Sequence, residues 1–418
     1  MFALVDAVAF YASAEKVFDP TIRDKPVVVL TNNDGCICAV CPIARKLSIP
    51  KFEAYFKIKA QLEKNNVIVR SSNYELYADL SARMMSEINR FSDNQYIYSI
   101  DESFLFFDGF HNIVKDWHDY GHKIRRSVWR KTKIPVGVGF GPTATLSKAA
   151  NHAAKKLPGF DGVAVIDDEL SRRHILGMMD VSDVWGVGRR ISKKLRIMGI
   201  HTALDLANQS AKYMRKQFSV VLERTINELN GMSCLSWDEV KQKKKEVYST
   251  RSFGERITDI HSLKSAFSAH STIVSRKLRR QGSLAKRLVI FAHSSPFEDN
   301  YYKRAFIHEF PVASSDALVF ANAVRDVLLK IYKPGVRFYK CGIGAIELED
   351  EMHQQGDLFN QSQDNPQLMK CLDDINNRFG SHTLKIASEK QTSFWKMRRD
   401  FLSPRYTTRW SDIPVIQC

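Results

Sequence analysis

The sequence predicts an α+β protein of several domains. Its 418 residues exceed the size at which one hydrophobic core usually stops growing, so about two to four domains are expected. Apolar runs typical of strands alternate with helical segments through residues 1–165, which indicates helices packed on a sheet. A charge run at 241–246 and a polar, aperiodic stretch at 347–366 interrupt this pattern and are expected to be linkers.

Two predicted strands carry acidic residues. The first, Phe2–Tyr11, is apolar apart from Asp6, and another, Tyr98–Phe107, places Asp101 and Glu102 in an aromatic run. A buried carboxylate costs about 3 kcal/mol or more without a partner, and no Lys or Arg lies near these acids in sequence. The strands therefore predict one site for hard divalent cations, which in pairs catalyse phosphoryl transfer. The alternative is that Asp6 ends a strand and the other two acids cap a turn.

The segment between these strands supplies a second strand and a basic region. Val27–Leu30 is apolar, and Thr31–Gly35 after it has strong turn composition. A short helix at 43–47 leads into a region where a nucleotide's phosphates could lie. Its cations are Arg45, Lys46, Lys51, Lys57 and Lys59. Residues 72–85 have apolar side chains at i+4 spacing, which predicts an amphipathic helix.

After the acidic strand, a helix at 114–131 and a strand at 134–140 continue the alternation. Thr145–Lys156 is predicted as helical by its alanine content, which puts Lys148 and Lys155 two turns apart on one face. This lysine pair either faces solvent or reaches a triphosphate, and the sequence leaves both open.

The segment Asp183–Leu195 has a hydrophobic-Gly-hydrophobic-Gly pattern that opens a helix, as in a helix-hairpin-helix. Gly186 and Gly188 would let backbone N–H groups approach a phosphate at the helix N-terminus. The adjacent cations are Arg189, Arg190, Lys193 and Lys194. Such contacts do not depend on base sequence, so the motif predicts binding to the DNA backbone. The alternative is an ordinary glycine turn that ends a helix.

Beyond the charge run, a small α+β module with a basic face is expected. Its predicted elements are a helix ending in Arg276–Arg280, a strand at 287–292, a helix near 316–332, and strands at 337–340 and 343–348. The last fifty or so residues interleave aromatic side chains with arginines. That pattern suits either single-stranded nucleic acid or a packed terminal lobe.

The composition points to a polyanionic partner inside the cell. Lys and Arg outnumber Asp and Glu by 62 to 46, a formal charge of +16, and the excess is clustered. Seven mostly scattered cysteines argue against a disulfide framework, and the group at Cys36, Cys38 and Cys41 lacks the second pair that zinc needs. No leader of signal type and no run of ~18 apolar residues is present, so neither export nor membrane insertion is expected.

Seven segments together resemble the Y family of translesion DNA polymerases over essentially the whole chain. Ser99–Glu102 and the glycine hairpin indicate the family, and the last segment narrows the resemblance to its UmuC branch. The segments are Asp6 with Phe10–Ser13, Asn32–Cys36, Ser71–Asp79, Ser99–Glu102, Trp185–Arg190, Arg251–Thr258 and Leu402–Arg409.

The resemblance implies a right-hand polymerase with four parts. These are palm and fingers in residues 1–165, a helix-hairpin-helix thumb in 166–240, a little finger in 246–348, and a tether with a C-terminal tail in 349–418. The implied function is template-directed, error-prone translesion synthesis in the SOS response to DNA damage, in the cytoplasm at the nucleoid. The implied partners are primer-template DNA, deoxynucleoside triphosphates, a sliding clamp, a processed UmuD dimer and RecA.

The resemblance also assigns residues to roles. Asp6, Asp101 and Glu102 match catalytic acids that bind two Mg²⁺ ions, with Mn²⁺ as an alternative, and the carbonyl of Ala7 is a further ligand. Tyr11 matches a steric gate that excludes ribonucleotides, and the nucleotide-binding positions are Phe10, Tyr11, Arg45 and Lys155. The DNA-binding positions are Gly186, Gly188, Arg189, Arg190 and Lys193, and the clamp-binding positions are Gln355, Leu358 and Phe359. Because an extended chain would carry the gate about 17 Å past Asp6, a bend at Ala9 or Phe10 is expected.

The chain departs from the family pattern at four positions, which bear on nucleotide affinity and error profile. Val8 replaces the usual Asn or Asp, Val40 an Arg, Pro42 a Tyr, and Ala144 a Lys. The alternative function is therefore a catalytically weak DNA-binding scaffold. A nuclease is a weaker third interpretation, because a tyrosine gate would have no purpose there.

Overall fold

The chain folds into two compact units. Unit 1 comprises Met1–Trp237 together with Arg399–Cys418, and unit 2 comprises Asp238–Arg398. The segment 349–418, expected as one tether and tail, is therefore divided between the units. This computed structural model describes residues 1–110, 113–235, 237, 243–353, 359–381, 383–389 and 397–413. Across those ranges, no helix has the length and apolar character needed to span a membrane.

Unit 1 is built on a five-stranded and a three-stranded sheet, with strand orders β5-β6-β1-β7-β8 and β3-β2-β4. The strands are β1 (Phe2–Ala7), β2 (Val27–Leu30), β3 (Ile37–Val40), β4 (Ile68–Ser71), β5 (Asn94–Ile97), β6 (Glu102–Phe106), β7 (Val136–Gly141) and β8 (Val163–Val165). Strand β1 lies between antiparallel β6 and β7. Its apolar residues Ala3, Leu4 and Val5 are buried, so the strand that carries Asp6 is the centre of the core.

Helices cover these sheets, and the helices between residues 169 and 229 follow the last strand of the unit. Sheets and helices together confirm the predicted α+β class. The helices of unit 1 are α1 (Phe10–Glu15), α2 (Pro42–Lys46), α3 (Tyr55–Lys64), α4 (Tyr74–Ile88), α5 (Trp117–Thr132), α6 (Ala144–Lys156), α7 (Glu169–Met178), α8 (Arg189–Ile197), α9 (Ala203–Ala207), α10 (Ala211–Gln217) and α11 (Val220–Leu229).

Strand β7 and helix α6 approach each other along a line of glycines. A Cβ at Gly139 would overlap the backbone nitrogen of Asn151, and one at Gly141 would crowd the first turns of α6. The Asn151 side chain donates to the carbonyls of Leu4 (3.0 Å) and Gly137 (2.8 Å), which ties the helix to β1 and β7. The missing side chains thus fix the helix that carries Lys148 and Lys155 directly beside the acidic strand.

The predicted strand Tyr98–Phe107 is a hairpin instead. Strand β5 ends at Ile97 and β6 begins at Glu102, so Asp101 lies in the connecting turn. The hydroxyl of Ser99 accepts from the amides of Asp101 and Glu102, both at 3.2 Å. A serine that bonds nearby amides in this way favours a turn over a continuing strand. The first predicted strand likewise ends early, at Ala7, and α1 begins three residues later.

In its described residues, unit 2 contains a four-stranded antiparallel sheet and three helices. The strands are β9 (Val247–Ile257), β10 (Ser283–His293), β11 (Lys303–Ser314) and β12 (Phe338–Asp350), in the order β11-β10-β12-β9. The helices are α12 (Ile260–Gln281), α13 (Ala317–Ile331) and α14 (Pro366–Phe379). The two strands predicted at 337–340 and 343–348 are a single strand. Gly342 and Gly344 do not interrupt it, because the side chains of Thr250 and Tyr248 on β9 occupy the space above them.

Candidate active site

The acids of the sequence analysis meet at one end of the central sheet. Asp6 on β1 and Glu102 on β6 are paired in register. The amide of Ala7 donates to the carbonyl of Asp101 at 3.0 Å, which holds the hairpin turn against the end of β1. The backbone pairing of two strands therefore places all three carboxylates on neighbouring positions.

Asp6 forms an ion pair with a lysine from helix α6. Its Oδ2 lies 2.6 Å from Nζ of Lys155. The lysine reaches it by crossing Gly137, where a Cβ would collide with the aliphatic part of the lysine side chain. Burial raises the pKa of Asp6 to about 6, although the Lys155 ammonium acts in the opposite direction.

Glu102 is paired with the second lysine of the same helix face. Its Oε1 lies 2.9 Å from Nζ of Lys148, whose ammonium also sits 4.6 Å from the ring centre of Tyr98 and 5.1 Å from that of Trp185. Aromatic faces attract a cation, so this lysine is held on two sides. Sequence reasoning placed the two lysines on one face but missed their partners, which lie 46 residues or more away along the chain.

A cavity of about 380 Å³ opens beside these acids. It brings together most of the residues predicted to bind a nucleotide and its metals. The lining residues are Asp6, Ala7, Val8, Ala9, Phe10, Tyr11, Cys38, Ala39, Val40, Arg45, Lys51, Ile100, Asp101, Lys155 and Lys156. Arg45 and Lys51 come from the predicted basic region, so the cavity is lined by both acids and cations.

Tyr11 is returned to the cavity by a bend at Ala9. This residue has φ of 47°, a left-handed conformation that costs a non-glycine residue free energy and recurs at functional sites. Ser13 stabilises the bend, because its amide donates to the Ala9 carbonyl at 3.0 Å and its hydroxyl donates to the Val8 carbonyl at 2.7 Å. The Tyr11 ring then stacks on Tyr77, with centroids 4.6 Å apart and planes 16° apart. Burial raises the pKa of Tyr11 to about 12, so its hydroxyl stays protonated.

The glycine turn of the predicted helix-hairpin-helix lies at the start of helix α8. Gly186 has φ of 91°, which only glycine adopts without strain, and Gly188 is the N-cap of the helix. Because glycine has no side chain, the first N–H groups of the helix have no side-chain cap from this residue. Arg189, Arg190 and Lys193 are exposed beside them.

The predicted clamp-binding segment is only partly described. Gln355 and Leu358 lie outside the described residues, whereas Phe359 is 95% exposed. Within the described ranges, no group of three or more His, Cys, Asp and Glu side chains is already arranged as a metal site.

Comparisons with known proteins agree along the whole chain. The impB/mucB/samB family model matches residues 5–152, and that family's C-terminal domain matches residues 244–358. Residues 366–416 match a model described only as a domain of unknown function. The protein UmuC of Salmonella typhimurium strain LT2 is 42% identical over 99% of both chains, and ImpB of Salmonella typhimurium is 37% identical over 99% of both.

Solved structures share the fold at lower identity. A Y-family DNA polymerase chimera superposes with a TM-score of 0.63 at 20% identity, covering 83% of this chain and 99% of its own. An insertion ternary complex of Dbh DNA polymerase gives a TM-score of 0.56 at 19% identity, covering 83% and 98%. The family models, the relatives and this fold together identify a DNA-directed DNA polymerase of the Y family, and the predicted right-hand architecture is confirmed. The chain belongs to the impB/mucB/samB family, of which UmuC is a member.

Proposed function

We propose that this chain carries out template-directed, error-prone DNA synthesis across lesions, by two-metal nucleotidyl transfer, in the SOS response to DNA damage. The observation that supports it is the joining of three carboxylates, a bent-back tyrosine and a basic wall in and around one cavity. Asp6, Asp101 and Glu102 provide the acids, and Arg45 and Lys155 the cations. The site would act in the cytoplasm, at the nucleoid.

We assign the four polymerase parts to the ranges expected from the sequence. Palm and fingers are residues 1–165, the thumb 166–240, the little finger 246–348, and the tether with its tail 349–418. The matches of the two family models at 5–152 and 244–358 support the first and third of these. The division of the chain near residue 238 supports a boundary between thumb and little finger.

The donor atoms suit two hard divalent cations. Asp6, Asp101, Glu102 and the carbonyl of Ala7 are all oxygen donors, the type that Mg²⁺ prefers and Mn²⁺ also accepts. When bound, the ions lower the pKa of the primer 3′-hydroxyl and neutralise charge on the departing pyrophosphate. Two of these carboxylates have an ammonium partner within 3 Å, and a bound divalent ion would take that partner's place.

The remaining cavity residues would bind and orient the nucleotide. Arg45 and Lys155 attract the triphosphate, and its charge competes with Asp6 for the Lys155 ammonium. Tyr11 lies under the sugar, where its ring leaves no room for a 2′-hydroxyl. The apolar departures Val8 and Val40 also line the cavity, so they act on nucleotide affinity rather than on the acids.

Primer extension by the purified chain with Mg²⁺ and deoxynucleotides tests this proposal. Template-dependent extension past a lesion is the expected result. The second candidate is a weak scaffold, favoured by the four departures and by the lysine-bound acids. DNA binding without any extension, with Mg²⁺ or Mn²⁺, would favour the scaffold and count against the polymerase.

The hairpin provides a first prediction about DNA. Arg189→Ala with Lys193→Ala should weaken primer-template binding equally for all sequences and reduce the salt slope of log K by about 2, because each cation replaces roughly one counterion. The measurement is binding by fluorescence anisotropy across a salt series. Lys123→Ala with Arg126→Ala is the matched control, since this exposed pair on α5 faces Asp119. An unchanged slope in the hairpin variant would remove the hairpin from the DNA interface.

The tether provides a second prediction. Replacing Leu358 and Phe359 with Ala should weaken binding to the sliding clamp about 10-fold or more while distributive synthesis continues, because apolar anchors carry most of the energy of such peptides. Surface plasmon resonance against the clamp measures this. Met352→Ala, which removes another exposed apolar side chain upstream, should leave the affinity unchanged. If the variant at Leu358 and Phe359 keeps the clamp affinity of the parent, the motif is refuted.

By family membership we also propose the processed UmuD dimer and RecA as partners, which co-purification with the full chain tests.

A further inference from the structure

Residues 399–413, the C-terminal piece of unit 1, pack on the rest of that unit through a buried asparagine. Nδ2 of Asn73 donates to the carbonyl of Ser403 at 3.1 Å, to its hydroxyl at 2.9 Å and to the carbonyl of Pro404 at 3.2 Å. Asn73 has no exposed surface, and Ser403 is 6% exposed. Next to it, the amide of Ser71 donates to the carbonyl of Phe401 at 3.0 Å. Around Ser403 the segment is therefore packed against the protein, whereas Trp410 is 90% exposed.

Ser403 extends this contact toward the cavity through a buried acid. Its hydroxyl donates to Oε1 of Glu15 at 3.1 Å, and the hydroxyl of Tyr77 donates to the same oxygen at 2.6 Å. Glu15 is 3% exposed and Tyr77 is fully buried. Burial raises the pKa of Glu15, and these two donors together with Arg70 oppose that rise. A buried acid that shares one oxygen between two hydroxyls fixes the position of both.

Tyr77, which donates to Glu15, is also the residue against which the ring of the proposed gate, Tyr11, is packed. Tyr77 stacks on Tyr11 at 4.6 Å, while Tyr74 meets Tyr11 edge-on at 6.3 Å. Tyr11 bonds to none of the tail residues itself among the contacts described. Tyr11 instead stacks on Tyr77, whose hydroxyl donates to Glu15.

We propose that Ser403 is a positioning residue for sugar selection, acting through Glu15 and Tyr77 on the ring of Tyr11. The C-terminal segment, which matches a domain of unknown function, thereby serves as the rear support of the steric gate. The inference rests on the proposed role of Tyr11 in nucleotide choice. Loss of the Ser403 hydroxyl would let Tyr77 shift and Tyr11 follow, which opens space beneath the sugar.

The test measures the ratio of ribonucleotide to deoxynucleotide incorporation by the full chain. Ser403→Ala and Tyr77→Phe should each raise the ratio about 3-fold, the effect of losing one hydrogen bond. The double variant should exceed the larger single effect little, because both hydroxyls donate to one oxygen. Ser411→Ala removes an exposed hydroxyl from the same segment and should leave the ratio unchanged.

Tyr11→Ala distinguishes failure of the Ser403 inference from failure of the gate proposal. If it raises the ratio while Ser403→Ala and Tyr77→Phe leave the parental value, the inference is overturned and the gate remains. If Tyr11→Ala leaves the ratio unchanged, the gate proposal fails and the inference fails with it.

A second tail variant covers the case in which Ser403→Ala does not fold. Arg399→Ala with Arg405→Ala removes both ion pairs to Glu75, each 3.2 Å long, and loosens the segment from its partly exposed side. This variant should also raise the ratio. A parental ratio would overturn the inference.

Discussion

Asp101→Asn is expected to reduce nucleotide incorporation by about 10³-fold or more, because a lost cation site removes several kcal/mol of transition-state stabilisation. The amide keeps the shape of the side chain and can still bond to the Ser99 hydroxyl, which lies 2.6 Å from Oδ1 in the parent. The hairpin turn should therefore persist. Glu102→Gln should have a similar effect, although Lys148 then faces a neutral amide in place of a carboxylate.

Single-turnover incorporation and DNA affinity should be measured on the same preparations. Affinity should stay within about 3-fold of the parent, since phosphate contacts from the basic modules supply most of it. Asp108→Asn makes the same chemical change at an exposed position outside the cavity and should leave both values unchanged. Undiminished incorporation by either acid variant would mean that these carboxylates hold no metal.

Tyr11→Ala should raise the ratio of ribonucleotide to deoxynucleotide incorporation by about 10- to 100-fold, the range that exclusion of one small group spans. Deoxynucleotide incorporation should persist, because the change touches no acid. The ring is partly buried between Tyr77 and Tyr74, so some stability is also lost.

Thermal melting distinguishes a gate from a purely structural tyrosine. Tyr120→Ala is the matched control, since this partly buried ring packs on Phe91 at 5.9 Å and bonds to the Phe91 carbonyl at 2.7 Å, outside the cavity. It should lower the melting temperature without changing sugar choice. If Tyr11→Ala behaves in the same way, with a constant ratio and a truncation cost of roughly 3 kcal/mol, the ring is structural.

Local patterns predicted most elements of the fold, because their causes are local. The i+4 spacing before residue 85 corresponds to α4 (Tyr74–Ile88), and the alanine-rich segment corresponds to α6 (Ala144–Lys156). The hairpin at residues 98–101 was missed because its apolar flanks resemble one continuous strand. Ser99 was the available signal, since a serine two residues before an acid favours a local turn.

The site was harder to predict because its partners are distant in sequence. The three acids are recognisable in the sequence because their neighbours are apolar, and no Lys or Arg lies near them along the chain. Lys148 and Lys155 reach them only because glycines on β7 let α6 approach the sheet, a property of tertiary packing. The contact between Asn73 and Ser403 was still harder to predict, since the two residues are 330 positions apart.

Unit 1 is made of two stretches that are far apart in the sequence, so it is completed late in synthesis. Its last piece, which begins at Arg399, leaves the ribosome only after all of unit 2 has been made. At about 5–20 residues per second, that interval lasts roughly 10 to 30 s. During this time Asn73 and Glu15 lack the hydrogen bonds that Ser403 supplies, so unit 1 is completed only by residues after Arg399. A message truncated before Arg399 would therefore encode unit 2 and a unit 1 that lacks its last piece.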